Sequence, residues 1–133
     1  MTEAEAEGNR TQVRVPSSAG QKLPVRYNAS IVITQGYAEG MEYPITKVHT
    51  IIGRDKSADI AIKDPLVSRQ HAAIQFSEGE FILKDLGSTN GTLMHGKIIE
   101  QAPLRNRDKF SIGDTTIQFI LEDSPTAKLF EIR

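Results

Sequence analysis

Most of the chain is a succession of short apolar runs separated by polar or glycine-rich punctuation. Residues 30–34 are compact and β-branched, which predicts a strand. Gly36 and Gly40 mark a loop. Residues 41–45 read as a second short strand, with Pro44 placing it at a sheet edge or a strand end. Residues 48–52 form a third, which runs into Gly53-Arg54 and a polar loop at 55–58. Residues 59–62 alternate over one short strand, and 63–65 make a turn. Residues 71–76 and 80–86 flank Ser77-Glu78-Gly79, a hairpin signature with glycine placed to take a positive φ. Two small strands at 92–94 and 96–99 follow around His95-Gly96, and 103–107 read as a loop. A second hairpin joins 108–112 to 115–121 through Gly113-Asp114. No window of eleven or more residues carries a helical stripe. Many short strands with turns every ~8–12 residues predict an all-β sandwich or barrel.

The flanks have a different composition. Residues 1–26 are rich in Glu, Ser, Gly and Pro and offer little to bury, so they are expected to be a disordered arm. Within it residues 11–15, beginning at Thr11, alternate in β fashion but stand isolated. The folded domain is expected over 27–123. The tail, 124–133, carries Leu129, Phe130 and Ile132 but is too short to fold alone. It either docks on the domain or heads a further segment.

Composition narrows the chemistry. A chain of 133 residues suits one domain plus tails. It has no cysteine, so disulfides and thiolate metal sites are out. His49, His71 and His95 lack metal-ligand spacing, and neither a metal nor a cofactor is expected. A formal net charge of −1, with basic residues dispersed and no stacking aromatics among them, argues against nucleic acid. No apolar run approaches the ~20 residues of a membrane span. The acidic, polar start is unlike a signal or transit peptide. A soluble cytoplasmic protein is the default expectation. Ser68 and His71 invite a nucleophile–base reading, but no glycine elbow or oxyanion hole surrounds Ser68, and His71 opens an apolar strand. Paired carboxylates, a P-loop and a kinase signature are also missing, so an enzyme is not expected.

Three polar islands punctuate the central stretch: Gly53-Arg54, Ser68-Arg69-Gln70-His71 and Ser88-Thr89-Asn90-Gly91. Together they supply a guanidinium, hydroxyls, one amide and tight-turn glycines. Such groups suit holding a phosphate and a peptide backbone. Taken singly, each has a plainer reading: Arg54 as a solvated charge, Ser68 as a turn residue, Asn90-Gly91 as a hairpin turn.

The order and spacing of these islands, GR…SRQH…GSTNGT over about residues 28–122, closely resemble the forkhead-associated (FHA) domain family. The resemblance implies a two-sheet β-sandwich of about eleven strands that binds phosphothreonine peptides through loops at one end. Arg54 would then grip phosphate oxygens with a planar fork that lysine cannot reproduce. Ser68 would donate its hydroxyl to the phosphate, Arg69 would add a second cation or an amide, and Thr89 would assist on the phosphate side. Asn90, with donor and acceptor on one amide, would anchor the ligand main chain. His71 would brace the loops, with Gly53, Ser88 and Gly91 shaping them. Leu66 and Val67, ahead of the second island, would give an apolar preference three residues after the phosphothreonine. The implied partners are a phosphothreonine protein and an upstream Ser/Thr kinase. Thr11 is a candidate phosphosite whose arm could fold back on Arg54 or reach another copy; an unmodified tail is the alternative. A phosphate-independent interaction module is the alternative for the domain as a whole.

Overall fold

A strand sends successive side chains to opposite faces. In the first strand, β1 (Tyr27–Gln35), Ala29, Ile31 and Ile33 are buried in the core, while Ser30, also buried, donates its hydroxyl to Glu42 and Val32 and Thr34 are half-buried. The computed structural model describes residues 20–24 and 26–123. After β1 come β2 (Glu42–Ile45), β3 (His49–Gly53), β4 (Ile60–Ala61), β5 (Ala72–Ser77), β6 (Glu80–Asp85), β7 (Thr92–Met94), β8 (Lys97–Ile99), β9 (Gln101–Leu104), β10 (Lys109–Ile112) and β11 (Thr115–Asp123). The described residues contain no helix.

The strands form two sheets. One has the order β9-β6-β5-β3-β4, the other β2-β1-β11-β10-β7-β8. Between them lies one apolar core in which Ile31, Ile33, Ile52, Ile74, Leu83, Phe110, Ile117 and Phe119 are almost wholly buried. Phe81 meets Phe119 across the core with ring centroids 5.1 Å apart, within the range for favourable aromatic pairs. All named pairings are antiparallel except β3 with β4. The fold is therefore the all-β, two-sheet, eleven-strand sandwich expected.

Several boundaries moved, each for a stated reason. Residues 101–104, whose second half was expected to open a loop, form β9, paired with β6 from Gln101↔Lys84 to Leu104↔Phe81. Pro103 lacks an N–H, but β9 is an edge strand and can tolerate that loss. Pro44 occupies the other tolerated position, on edge strand β2. Order also begins before Tyr27: Lys22 bridges Lys47, the Leu23 N–H donates to Thr46 O, and the Val48 N–H donates to Gln21 O. Strand β1 runs longer than the 30–34 expected, because β11 pairs with it as far as Asp123↔Tyr27.

This topology fixes which loops meet. Gln35, at the end of β1, pairs with Thr116 at the start of β11. The β10–β11 turn therefore lies at one end of the sandwich, together with the loops after β3, β4 and β6. The paired segments at Gln21–Leu23 and Thr46–Val48, and the β1 start with the β11 end, lie at the other.

Candidate functional site

The approach of the first two islands depends on Gly53. A Cβ there would sit 2.0 Å from the Arg69 carbonyl oxygen and 2.9 Å from the Gln70 Cα. Only glycine lets these two backbones lie this close. Across the contact the Arg54 N–H donates to Ser68 O at 2.9 Å, the Asp55 N–H to Arg69 O at 3.2 Å, and the His71 N–H to Ile52 O at 2.9 Å.

Residues 66–68 then tie the loops together, one bond after another. The Asn90 Nδ2 donates to Leu66 O at 2.9 Å. The Arg54 Nε donates to Val67 O at 2.9 Å. The Ser68 Oγ accepts from the Thr89 N–H at 3.0 Å. His71 closes the seam from beneath. Fully buried, it accepts the Ser68 N–H at Nδ1 (3.0 Å), so the proton sits on Nε2, which donates to Gly91 O at 2.8 Å. That occupation of both nitrogens leaves His71 no free atom with which to act as a base on the Ser68 hydroxyl.

The bonding pattern leaves several polar groups of these loops without a partner among the described residues. Arg54 is exposed, and its Nε bond to Val67 O fixes the plane of the guanidinium. Its terminal nitrogens make no hydrogen bond among the described residues. The Ser68 hydroxyl uses a lone pair on Thr89, which leaves its proton to donate. Asn90 spends one amide hydrogen on Leu66 and keeps the other, plus its carbonyl oxygen. Thr89 and Asn90 are exposed, and so is Arg69. The Asp55 carboxyl is held below its ordinary value first by the Ser57 hydroxyl, with the Arg69 charge a minor cause.

Two carboxylates that sequence reasoning passed over set the loop shapes. Asp64, read only as part of a turn, is fully buried. It accepts from the Leu66 N–H (2.9 Å), the Asp114 N–H (2.7 Å) and the Thr115 hydroxyl (2.9 Å), pinning the start of the 66–68 segment to the β10–β11 turn. Asp85 accepts from the Gly87 and Ser88 N–H groups and from the Ser88 and Thr92 hydroxyls. Burial pushes its pKa up, but these hydrogen bonds outweigh burial and hold it below the ordinary carboxylate value. Ser88 then accepts the Gly91 N–H, closing the loop on itself. The legible signal was local: an aspartate two residues ahead of an N–H in a turn, as in Asp64-Pro65-Leu66 and Asp85-Leu86-Gly87.

One pair of expected contact residues separates. Val67 is 1% exposed and belongs to the core, whereas Leu66 is 45% exposed. The Val67 N–H donates to Asp64 O at 2.9 Å, closing a turn that sends Val67 into the core and leaves Leu66 on the surface. Thr11 lies outside the described residues. Among the described residues no group of three or more His, Cys, Asp or Glu could hold a metal, and no helix is long and apolar enough to cross a membrane.

The sequence profile of the FHA domain matches residues 50–113, which contain all three islands. The glycogen accumulation regulator GarA of Mycolicibacterium smegmatis is 33% identical over 93 residues, covering 70% of this chain and 59% of GarA. This chain thus spans a little under two thirds of that relative. The oxoglutarate dehydrogenase inhibitor of Corynebacterium glutamicum is 30% identical over 105 residues, covering 79% of this chain and 73% of the inhibitor. Both relatives are named as regulators of other proteins or processes rather than as enzymes. The solved structure of Mycobacterium tuberculosis EmbR, in complex with a low-affinity phosphopeptide, superposes with a TM-score of 0.65 at 30% identity. It covers 70% of this chain and 24% of EmbR. With profile, relatives and sandwich topology in agreement, the chain belongs to the FHA domain family.

Proposed function

We propose that this domain is a phosphothreonine-peptide reader, a non-catalytic adaptor in Ser/Thr kinase signalling. One observation carries the reading. Residues 66–68 bond in succession to Asn90, Arg54 and Thr89, so a fixed guanidinium, a hydroxyl proton and a half-used amide belong to one seam. A phosphothreonine has nearly two negative charges and three strong acceptor oxygens. Arg54 and Ser68 take the phosphate, with Arg69 and Thr89 beside them. Asn90 takes the neighbouring main chain. His71, Gly53, Ser88 and Gly91 hold the geometry. The EmbR neighbour, solved with a phosphopeptide, supports the same use of the fold. Charge-assisted hydrogen bonds contribute about 1.5–3 kcal/mol each, and ordering the peptide takes several back. The net falls near micromolar, about −8 kcal/mol. A cysteine-free, nearly neutral composition fits a cytoplasmic setting.

The arm adds a regulatory reading: a kinase phosphorylates Thr11, which then occupies the domain's own site or another copy's. Reach supports the intramolecular form. The chain is anchored at Gln21–Leu23 beside Val48, and the extended path from Val48 to Arg54 covers roughly 20 Å. The ten residues from Thr11 to Gln21 can span up to ~33 Å.

Titration with a phosphothreonine peptide library, against the unphosphorylated peptides and Arg54→Ala, tests both. Phosphate-dependent binding that Arg54→Ala abolishes is the expected result. Partner binding that survives Arg54→Ala instead identifies a phosphate-independent module. Chain phosphorylated at Thr11 is expected to lose external binding; unchanged binding removes the self-occupancy reading.

A further inference from the structure

Ile98 is 72% exposed, the most exposed large hydrophobic side chain among the described residues. Isolated surface apolar residues are ordinary, but Ile98 is not isolated. In the β7–β8 hairpin it lies directly opposite Leu93, itself 36% exposed. Directly opposed side chains in an antiparallel pair touch, so the two form one apolar shelf on the outer face of the six-stranded sheet. Next to Leu93 in the same row is Ser111. The charged neighbours Lys97 and Glu100 lie along the chain on either side.

The shelf adjoins the proposed ligand seam. A Cβ at Gly91 would meet three Ile98 side-chain carbons at 3.6–3.7 Å, so Ile98 sits against the Gly91 backbone. That backbone is fixed from within: its carbonyl takes the His71 Nε2 proton and its N–H donates to Ser88. On the other side of the same loop, the Asn90 amide is bonded to Leu66 O. Across the end of the sandwich the order is therefore Leu66, Asn90, Gly91, Ile98, Leu93. Two exposed apolar residues thus flank the Asn90-Gly91 segment: Leu66, whose carbonyl the Asn90 amide holds, and Ile98, which lies against Gly91.

Resting on the phosphopeptide-reader reading, we propose that Ile98, backed by Leu93, is a second specificity surface. It receives an apolar side chain of the phosphothreonine ligand, at a ligand position distinct from the one read by Leu66. A peptide held through its backbone at Asn90 extends past the loop on both sides. Desolvating an isoleucine already exposed on a rigid hairpin orders little of the protein, so the contact adds affinity without a large entropic penalty. The domain thus selects phosphothreonine segments with two apolar residues at set separations from the phosphate, rather than one.

The test uses the full chain and a phosphothreonine peptide library randomised at the positions flanking the phosphothreonine. Wild type, Ile98→Ser, Leu93→Ser and Leu66→Ser are profiled together. The three substituted side chains are exposed, so the variants keep the fold. The expected result is two positions of apolar preference in the wild type. One is lost in Ile98→Ser and weakened in Leu93→Ser; the other is lost in Leu66→Ser. Affinity of Ile98→Ser for the best peptide falls about tenfold, while a phosphothreonine peptide with alanine at every flanking position binds both proteins equally. Phosphate-dependent binding with the same preferences in wild type and Ile98→Ser overturns the shelf and leaves the reader reading standing. No phosphate-dependent binding in the wild type overturns that reading and the shelf with it.

Discussion

Replacing Gly53 by alanine tests whether the close approach of the β3 end to Arg69-Gln70 organises the site. The added Cβ falls 2.0 Å from Arg69 O, 2.7 Å from Arg69 C and 2.9 Å from Gln70 Cα. Relief even to a tight 3.0 Å contact requires about 1 Å of backbone movement, because the obstructing atoms are main chain and cannot rotate away. Neither side is free to give. Ile52 is paired with Ala72 on one flank and Ile60 on the other, and the segment beyond is held through Ser68 O and Arg69 O. Overpacking of this kind costs about 1–3 kcal/mol, and each backbone hydrogen bond stretched or lost adds about 0.5–1.5 kcal/mol. A total of about 2–4 kcal/mol follows, a fall in Tm of roughly 10–25 °C for a domain this size. Urea unfolding gives the free energy, and phosphopeptide titration reads the site. Gly40→Ala is the control. Gly40, unlike Gly53, has a left-handed φ (91°), and a Cβ there meets nothing within 4 Å, so only the conformational penalty of about 1–2 kcal/mol applies. Gly53→Ala is expected to be more destabilised than Gly40→Ala and to lose peptide affinity, which Gly40→Ala retains. Equal stability of the two variants, with peptide binding intact in both, would refute the close-approach argument.

Two further outcomes follow from the buried and hydrogen-bonded acids. Asp64→Ala strands three donors next to residues 66–68 and is expected to lose about 3 kcal/mol or more, together with peptide affinity; a loss below about 1 kcal/mol in urea unfolding would count against Asp64 as the pin. Stability should also fall as pH is lowered. Burial holds the His49 pKa below its ordinary ~6.5, so the unfolded chain binds the proton first and stability declines as pH drops below that value. Asp59 and Asp85, whose hydrogen bonds outweigh burial, and Asp55, held chiefly by the Ser57 hydroxyl, all lie below the ordinary ~3.9. Their contribution is present above that value and is lost as pH falls through their depressed pKa values. Urea midpoints from pH 7 to 3 should show a shallow decline, absent in His49→Gln, and then a steeper one; a wild type equally stable at pH 7 and 5 removes the first step.

Short β-branched and apolar runs such as 30–34, 71–76, 80–86 and 115–121, punctuated by turn residues, marked an all-β sandwich or barrel, because strand length and turn chemistry are written locally. The islands were legible for a related reason: a guanidinium, a serine and an Asn-Gly turn are local chemistry that spacing alone can mark. What the tertiary structure decided is everything that depends on contact between distant segments. β9 is a strand because β6 lies beside it, not because residues 101–104 favour one. Val67 lies in the core and Leu66 on the surface, since the direction of each side chain is set by the path of the loop. Asp64 became a pin through Asp114 and Thr115, fifty residues away. Gly53 turned out to be required by Arg69, and Ile98 became a neighbour of Asn90 only through Gly91. Periodicity is a property of one segment and survives in the sequence. Proximity between segments is created by packing two sheets around a shared core, and no single segment records it.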